Sequence, residues 1–202
     1  MLVGLDFDNT LVCYDEVFHA EALELGLIPA SLPRLKNAVR DHIRETAGDL
    51  AWQKLQALVY AHRMRQARLK PGAEDFLRRC RERGLGLVVV SHKSETAPMD
   101  PEQASLRQAS LDFMRAAGFF DAYPQGLGFC PEDIHFESTR SEKVARINSL
   151  GCRFFIDDLP EVLCHPDLAP AVRRVLFSAG VPADGSIELS GLWPEIARHV
   201  LG

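Results

Sequence analysis

The sequence predicts an α/β protein: a Rossmann-like, mostly parallel sheet with helices on both faces and a small helical cap inserted after the first strand. Three observations carry that expectation. Short apolar runs alternate with helix-period segments along most of the chain. Residues 85–90 form a continuous, Val-rich apolar run, as a strand buried on both faces reads. The stretch 14–70 interrupts the alternation with helical signals and no strand signal. The expected organisation is therefore an α/β core made of residues 1–13 and 71–202, with a cap insert at 14–70.

The elements follow in order. Residues 2–5 are the first strand, with no basic or apolar leader before them, so the protein is expected to remain cytoplasmic. Asp15 is placed to cap a helix carrying Phe18, Ala22 and Leu25, and Gly26 ends it. Beyond Pro29 and Pro33, a second helix presents Leu35, Ala38, Val39, His42 and Ile43 and stops at Gly48. Asp49 is placed to cap a third, through Trp52, Leu55, Leu58, Val59 and His62. Pro71-Gly72 breaks the pattern before a fourth helix with Phe76, Leu77 and Cys80. After the strand at 85–90, Asp100-Pro101 with Gln103 reads as a helix start, followed by Leu106, Ala109, Phe113 and Ala117. Residues 134–136 are a short strand. Thr139 and Glu142 form a capping box for a helix through Val144, Ile147 and Leu150, closed by Gly151. Strands at 153–156 and 174–177 complete the pattern, and the tail beyond Gly180 carries no functional signal.

Composition narrows the classes. With 47% hydrophobic and 25% charged residues in 202, the chain is not disordered. No apolar run approaches the ~20 residues of a membrane helix, so no membrane partner is expected. A net charge of -5 argues against nucleic acid. Residues 34–83 hold 13 Lys/Arg against 6 Asp/Glu, a local excess that marks a subdomain of its own. Five scattered cysteines, none in a C-x-x-C pair, read as reduced thiols rather than disulfides or a zinc site. Nothing in the sequence speaks to the oligomeric state.

Open parallel sheets bind ligands at the carboxyl ends of their strands, so the polar residues there decide the chemistry. After residues 2–5 comes Asp6-Phe7-Asp8-Asn9-Thr10. After 85–90 comes Ser91-His92-Lys93. Lys143 opens the helix after the next strand, and Asp157-Asp158 follows 153–156. Several carboxylates gathered at one sheet edge repel one another and raise each other's pKa. A hard divalent cation relieves that, and an all-oxygen ligand set with open positions suits Mg²⁺. Lys143 and Ser91 then offer a positive charge and a hydroxyl to an anion such as phosphate.

These four stations, in this order, resemble the haloacid dehalogenase-like (HAD) superfamily. Asp6 and Asp8 stand in its D-x-D-x-T pattern, with Ser91, Lys143 and the Asp157-Asp158 pair following, and the insert falls where the family places its C1 cap. The resemblance implies a Mg²⁺-dependent phosphomonoester hydrolase acting on a small phosphorylated metabolite, a sugar phosphate or a nucleotide. It implies Asp6 as a nucleophile that forms an aspartyl-phosphate and Asp8 as the acid and base. Ser91, His92 and Lys143 are the expected phosphate contacts. Asp6, the main-chain carbonyl of Asp8, and Asp158 are the expected metal ligands, with Asp157 a ligand or an orienter of Lys143. Thr10 and Asn9 support the turn, and Lys93, like His92, is within reach of a leaving group. His92 stands where the family often has Asn, and Asn9 where Gly is common. A phosphomutase of the same superfamily, or a non-catalytic member binding a phospho-ligand or a protein, are the alternatives.

Overall fold

The structure, a computed structural model, describes residues 1–180 and 185–202. In chain order the main elements are β1 (Leu2–Leu5), β2 (Val12–Cys13), α1 (Asp15–Glu24), α2 (Lys36–Thr46), α3 (Asp49–His62), β3 (Arg68–Leu69), α4 (Ala73–Glu82), β4 (Gly86–His92) and α5 (Leu106–Ala116). They continue with β5 (Ile134–Glu137), α6 (Arg140–Leu150), β6 (Phe154–Asp157), α7 (Pro160–Leu163), β7 (Arg173–Phe177), β8 (Leu189–Gly191) and α8 (Trp193–Leu201). Six strands form one parallel sheet in the order β5-β4-β1-β6-β7-β8. The expected Rossmann-like α/β class is what forms. The chain fills β4 and β5 on one side of β1 and then β6, β7 and β8 on the other, so the strand order reverses at β1. Open α/β sheets bind ligands outside the carboxyl ends of the strands at such a point.

Two compact units divide the chain. The first comprises residues 1–12, 69–93 and 117–202; the second comprises 13–68 and 94–116. In the first, Val88, Val90 and Phe155 pack with Val144 and Ile147 of α6 and Val162 and Leu163 of α7 on one face of the sheet. Helices α4 and α8 belong to the other face, where Trp193 packs with tilted rings against Phe76 and Phe177, centroids 4.9 and 5.3 Å away. Burying these aromatics supplies a large share of the driving force for closing the sheet. The tail without a functional signal therefore carries structure, a sixth strand and the helix that holds Trp193. Residues 181–184 of that tail lie outside the described residues.

The second unit holds α1, α2 and α3 around Phe18, Trp52, Tyr14 and Tyr60, whose ring centroids lie 5.0–6.4 Å apart. It also takes in α5, which the sequence reading assigned to the core. Helix α5 buries Leu106, Ser110, Phe113 and Met114, and it packs on α3 and the turn at 64–66, where Ser110 meets Met64. Periodicity shows that a helix has an apolar face, not which neighbour covers it.

Three expected helix starts differ. Neither Asp15 nor Asp49 caps by its side chain: each is the first helical residue, following Tyr14 and Gly48. Their carboxylates instead accept from the Lys36 N–H and from Gln53 and Arg44. Helix α5 starts at Leu106 rather than near Asp100. Residues 100–105 are held in a turn because the Asp100 carboxylate accepts from the N–H groups of Glu102 and Ala104, and Gln103 sits at φ 50.

Asp100 is buried and paired with His62 Nε2 at 2.9 Å. The hydrogen bond from His62, joined by the Ala104 and Glu102 N–H groups, holds its carboxyl below the usual carboxylate range. A lowered acid stabilises the fold above its unfolded value, about 3.9, and that stabilisation disappears as pH falls through the folded value. Hydrogen exchange in 100–106 is therefore expected to stay slow to below about pH 4 and then accelerate. In His62→Leu the acceleration should begin at higher pH; identical profiles would dissociate the turn from His62.

No helix among the described residues is long and apolar enough to cross a membrane. The five cysteines form no disulfide with one another.

Candidate active site

The site is built on three strand ends and one helix of the first unit. Strand β1 delivers Asp6, whose N–H donates to the Ile156 carbonyl at 2.8 Å and extends the ladder toward β6. The chain then turns: Leu11 and Val12 N–H both donate to the Phe7 carbonyl at 3.0 Å, and Asn9 adopts φ 64. That left-handed position excludes most side chains, and Asn is one of the few that tolerates it, as Gly does. Thr10, fully buried, ties this turn to the end of β6. Its hydroxyl accepts from the Asp158 N–H at 3.0 Å and approaches the Asp158 carboxylate at 3.4 Å. The Thr10 carbonyl in turn accepts from Trp193 Nε1 at 3.2 Å, a tether that nothing in the sequence pattern signals.

Lys143 lies in the first turn of α6, behind the Thr139–Glu142 capping box that fixes where the helix begins. Its ammonium, almost completely buried, lies 2.6 Å from both Asp6 Oδ1 and Asp157 Oδ2. Asp157 also accepts from the Leu159 N–H at 2.9 Å. The carboxylate oxygens of Asp6, Asp157 and Asp158 come within 4.8 Å of one another. One ammonium cannot neutralise three carboxylates. Burial pushes the Asp6 carboxyl up to about 8, Lys143 drawing it back and Asp157 and Asp158 adding to the rise. Burial works against the Lys143 charge, but Asp157 and Asp6 outweigh it and hold the ammonium above the usual lysine range. Lysine thus stays charged, and Asp6 needs a further cation to stay ionised. The oxygen-only donor set fits a hard divalent ion for that purpose.

Strand β4 extends two residues further than predicted, so Ser91 and His92 are its last positions and alternate in side-chain direction. Ser91 is buried, and its hydroxyl has no hydrogen-bond partner within the protein. A buried hydroxyl left unmatched at a strand end is a place for a ligand oxygen. His92 is exposed and its Nε2 lies 3.0 Å from the Ser138 carbonyl, apart from the buried cluster. Lys93 repeats the Ser91 side: it is buried, and its ammonium reaches the Asp8 carboxylate at 2.9–3.0 Å. The sequence placed Lys93 near a leaving group and did not pair it with Asp8. The two-residue step from Ser91 to Lys93 along one strand was the available signal.

The structure thus brings Asp6, Lys143, Asp157 and Asp158 into one cluster and places Asp8 on Lys93. Thr10 and Asn9 shape the turn, Ser91 lies at the neighbouring strand end, and His92 stands outside.

No family model and no curated protein matches the sequence. Solved structures do. A HAD-superfamily hydrolase from Ehrlichia chaffeensis aligns over 99% of this chain and 95% of its own, at 14% identity and a TM-score of 0.56. A HAD family hydrolase from Deinococcus radiodurans R1, solved with bound phosphate and sodium, aligns over 99% and 94%, at 15% identity and a TM-score of 0.53. A structure described as a predicted phosphoglycolate phosphatase from Haemophilus somnus covers 98% and 97%, at 14% identity and a TM-score of 0.55. With strand order, strand-end residues and these likenesses in agreement, the chain has the fold of the haloacid dehalogenase-like hydrolases.

Proposed function

We propose that the protein is a Mg²⁺-dependent phosphomonoester hydrolase acting on a small phosphorylated metabolite, a sugar phosphate or a nucleotide. The observation that carries this is the buried Asp6–Lys143–Asp157 cluster, with Asp158 beside it. Such a cluster holds excess negative charge that a bound cation balances, and it costs stability unless it is used. The neighbour that holds phosphate and the neighbour described as a phosphatase support the same chemistry.

In this reading Asp6 attacks phosphorus, the phosphorus–oxygen bond to the leaving alcohol breaks, and an aspartyl-phosphate forms that water then hydrolyses. Asp8 donates a proton to the leaving oxygen and later takes one from the attacking water. Lys143 and the Ser91 hydroxyl hold the phosphoryl oxygens, and Asp157 keeps Lys143 in place. Asp6, Asp158 and the Asp8 main-chain carbonyl would hold Mg²⁺, which when bound supplies positive charge to the phosphoryl group. The second unit enters the chain directly after Val12 and Lys93, and we assign it the selection of the leaving group. Five cysteines held outside any disulfide suit a cytoplasmic setting.

The test is hydrolysis of an aryl phosphate and of a panel of metabolite phosphates, with Mg²⁺ and with EDTA. Turnover that EDTA removes supports the proposal, and a folded protein silent on every substrate refutes it. Asp8→Asn adds resolution. Its loss, about 10²–10⁴-fold on alkyl phosphates, should shrink on an activated aryl phosphate whose leaving group needs no proton. Equal losses would take the proton-transfer role away from Asp8.

A further inference from the structure

Asp6 and Asp8 are two residues apart, yet their carboxylates have different surroundings. Asp6 converges with Asp157 and Asp158. Asp8 is not in that group, and its two oxygens lie 3.0 and 2.9 Å from Lys93 Nζ. Lys93 is itself fixed. Its N–H donates to the Glu137 carbonyl at 2.8 Å, which carries the β4–β5 ladder past the end of β4. Its ammonium lies over the Phe7 ring, 5.6 Å from the centroid, and the side chain is buried. A buried lysine so anchored presents its charge at one place.

A carboxylate on a short turn beside a divalent-cation site is drawn toward that cation unless another charge holds it. Once its lone pairs ligate a metal, it is a poor source of a proton for a leaving oxygen. We propose that Lys93 is a positioning residue that keeps the Asp8 carboxylate off the cation site and reserves it for the leaving group. The assignment rests on the reading of Asp8 as the leaving-group acid. It also gives Lys93 an action through Asp8 rather than direct contact with substrate.

The decisive measurement is Mg²⁺ binding by calorimetry, without substrate, to the wild type, Lys93→Met, Asp8→Asn and the double variant. Lys93→Met is expected to bind Mg²⁺ about tenfold more tightly, because a further carboxylate joins the ligand set. In the Asp8→Asn background the same change should alter affinity by no more than about twofold. Equal tightening in both backgrounds would reduce Lys93 to a through-space charge and overturn the proposal, as would no tightening at all. Asp8→Asn alone separates the outcomes even if Lys93→Met does not fold. A loss of Mg²⁺ affinity of about tenfold would show that Asp8 already ligates the metal, again overturning it.

Kinetics supply the second readout. Lys93→Met should lower kcat on alkyl phosphates about 10²-fold with little change in KM, and lower it less on aryl phosphates. Lys93→Arg should recover most of that loss. If the Mg²⁺ pattern appears while no phosphomonoester is turned over, the hydrolase reading fails and the placement of Asp8 by Lys93 stands.

Discussion

Asp6→Asn is expected to lower phosphatase turnover by at least 10²-fold while the protein remains folded. The amide is close in shape to the carboxylate, so the turn held by Phe7, Asn9 and Thr10 should survive. It is a poor nucleophile, and it removes one of the three carboxylates that converge at the site. The fold should even tolerate the change well without metal. Burial raises the native Asp6 carboxyl to about 8, so an ionised Asp6 is an unfavourable charge at neutral pH in the absence of a cation. Circular dichroism and thermal melting would establish the fold, and single-turnover assays the chemistry. Residual activity above about one per cent would remove Asp6 from the nucleophile role.

Lys143→Met should produce the largest loss of stability. It deletes the one ammonium bonded to both Asp6 and Asp157 and leaves two buried carboxylates without it. Removing one partner of a buried ion pair costs about 3–5 kcal/mol. For a chain of this size that is a fall in Tm of roughly 6–20 °C. Activity should fall at least 10²-fold as well, because charge on the phosphoryl oxygens loses a fixed partner. Added Mg²⁺ should return part of the lost stability, since a second cation can take over some of the compensation. A Tm change below about 3 °C would show that water already screens these carboxylates, and the buried-cluster account would fail. Lys143→Arg is not a neutral control, because a planar fork cannot occupy the point between the two oxygens.

Some of this protein is written in its sequence because local physics decides it. The short Val-rich run before Ser91 reads as a strand buried on both faces, and Thr139 with Glu142 fixed the first turn of α6 and thereby the place of Lys143. Asn9 stands in the sequence where Gly is common, and the structure gives it the left-handed backbone that both residues tolerate. Carboxylates at the ends of β1 and β6 share one edge of the sheet, since open parallel sheets bring their strand ends together, and α6 starts close enough to bring Lys143 to them.

Other features depend on which surfaces meet, and no local pattern encodes that. Helix α5 has the periodicity of a core crossover helix, yet packs with α3 because its apolar face fits there. Asp100 has the look of a helix cap and serves a turn instead, because His62, 38 residues away in sequence, supplies the partner that fixes its carboxylate. Trp193 belongs to a tail with no signal, and only the closed sheet brings its indole N–H to Thr10. The different surroundings of Asp6 and Asp8 are of the same kind. Two aspartates in one short motif are chemically alike in sequence. Lys143 and Lys93, from α6 and the end of β4, give them different charges to face.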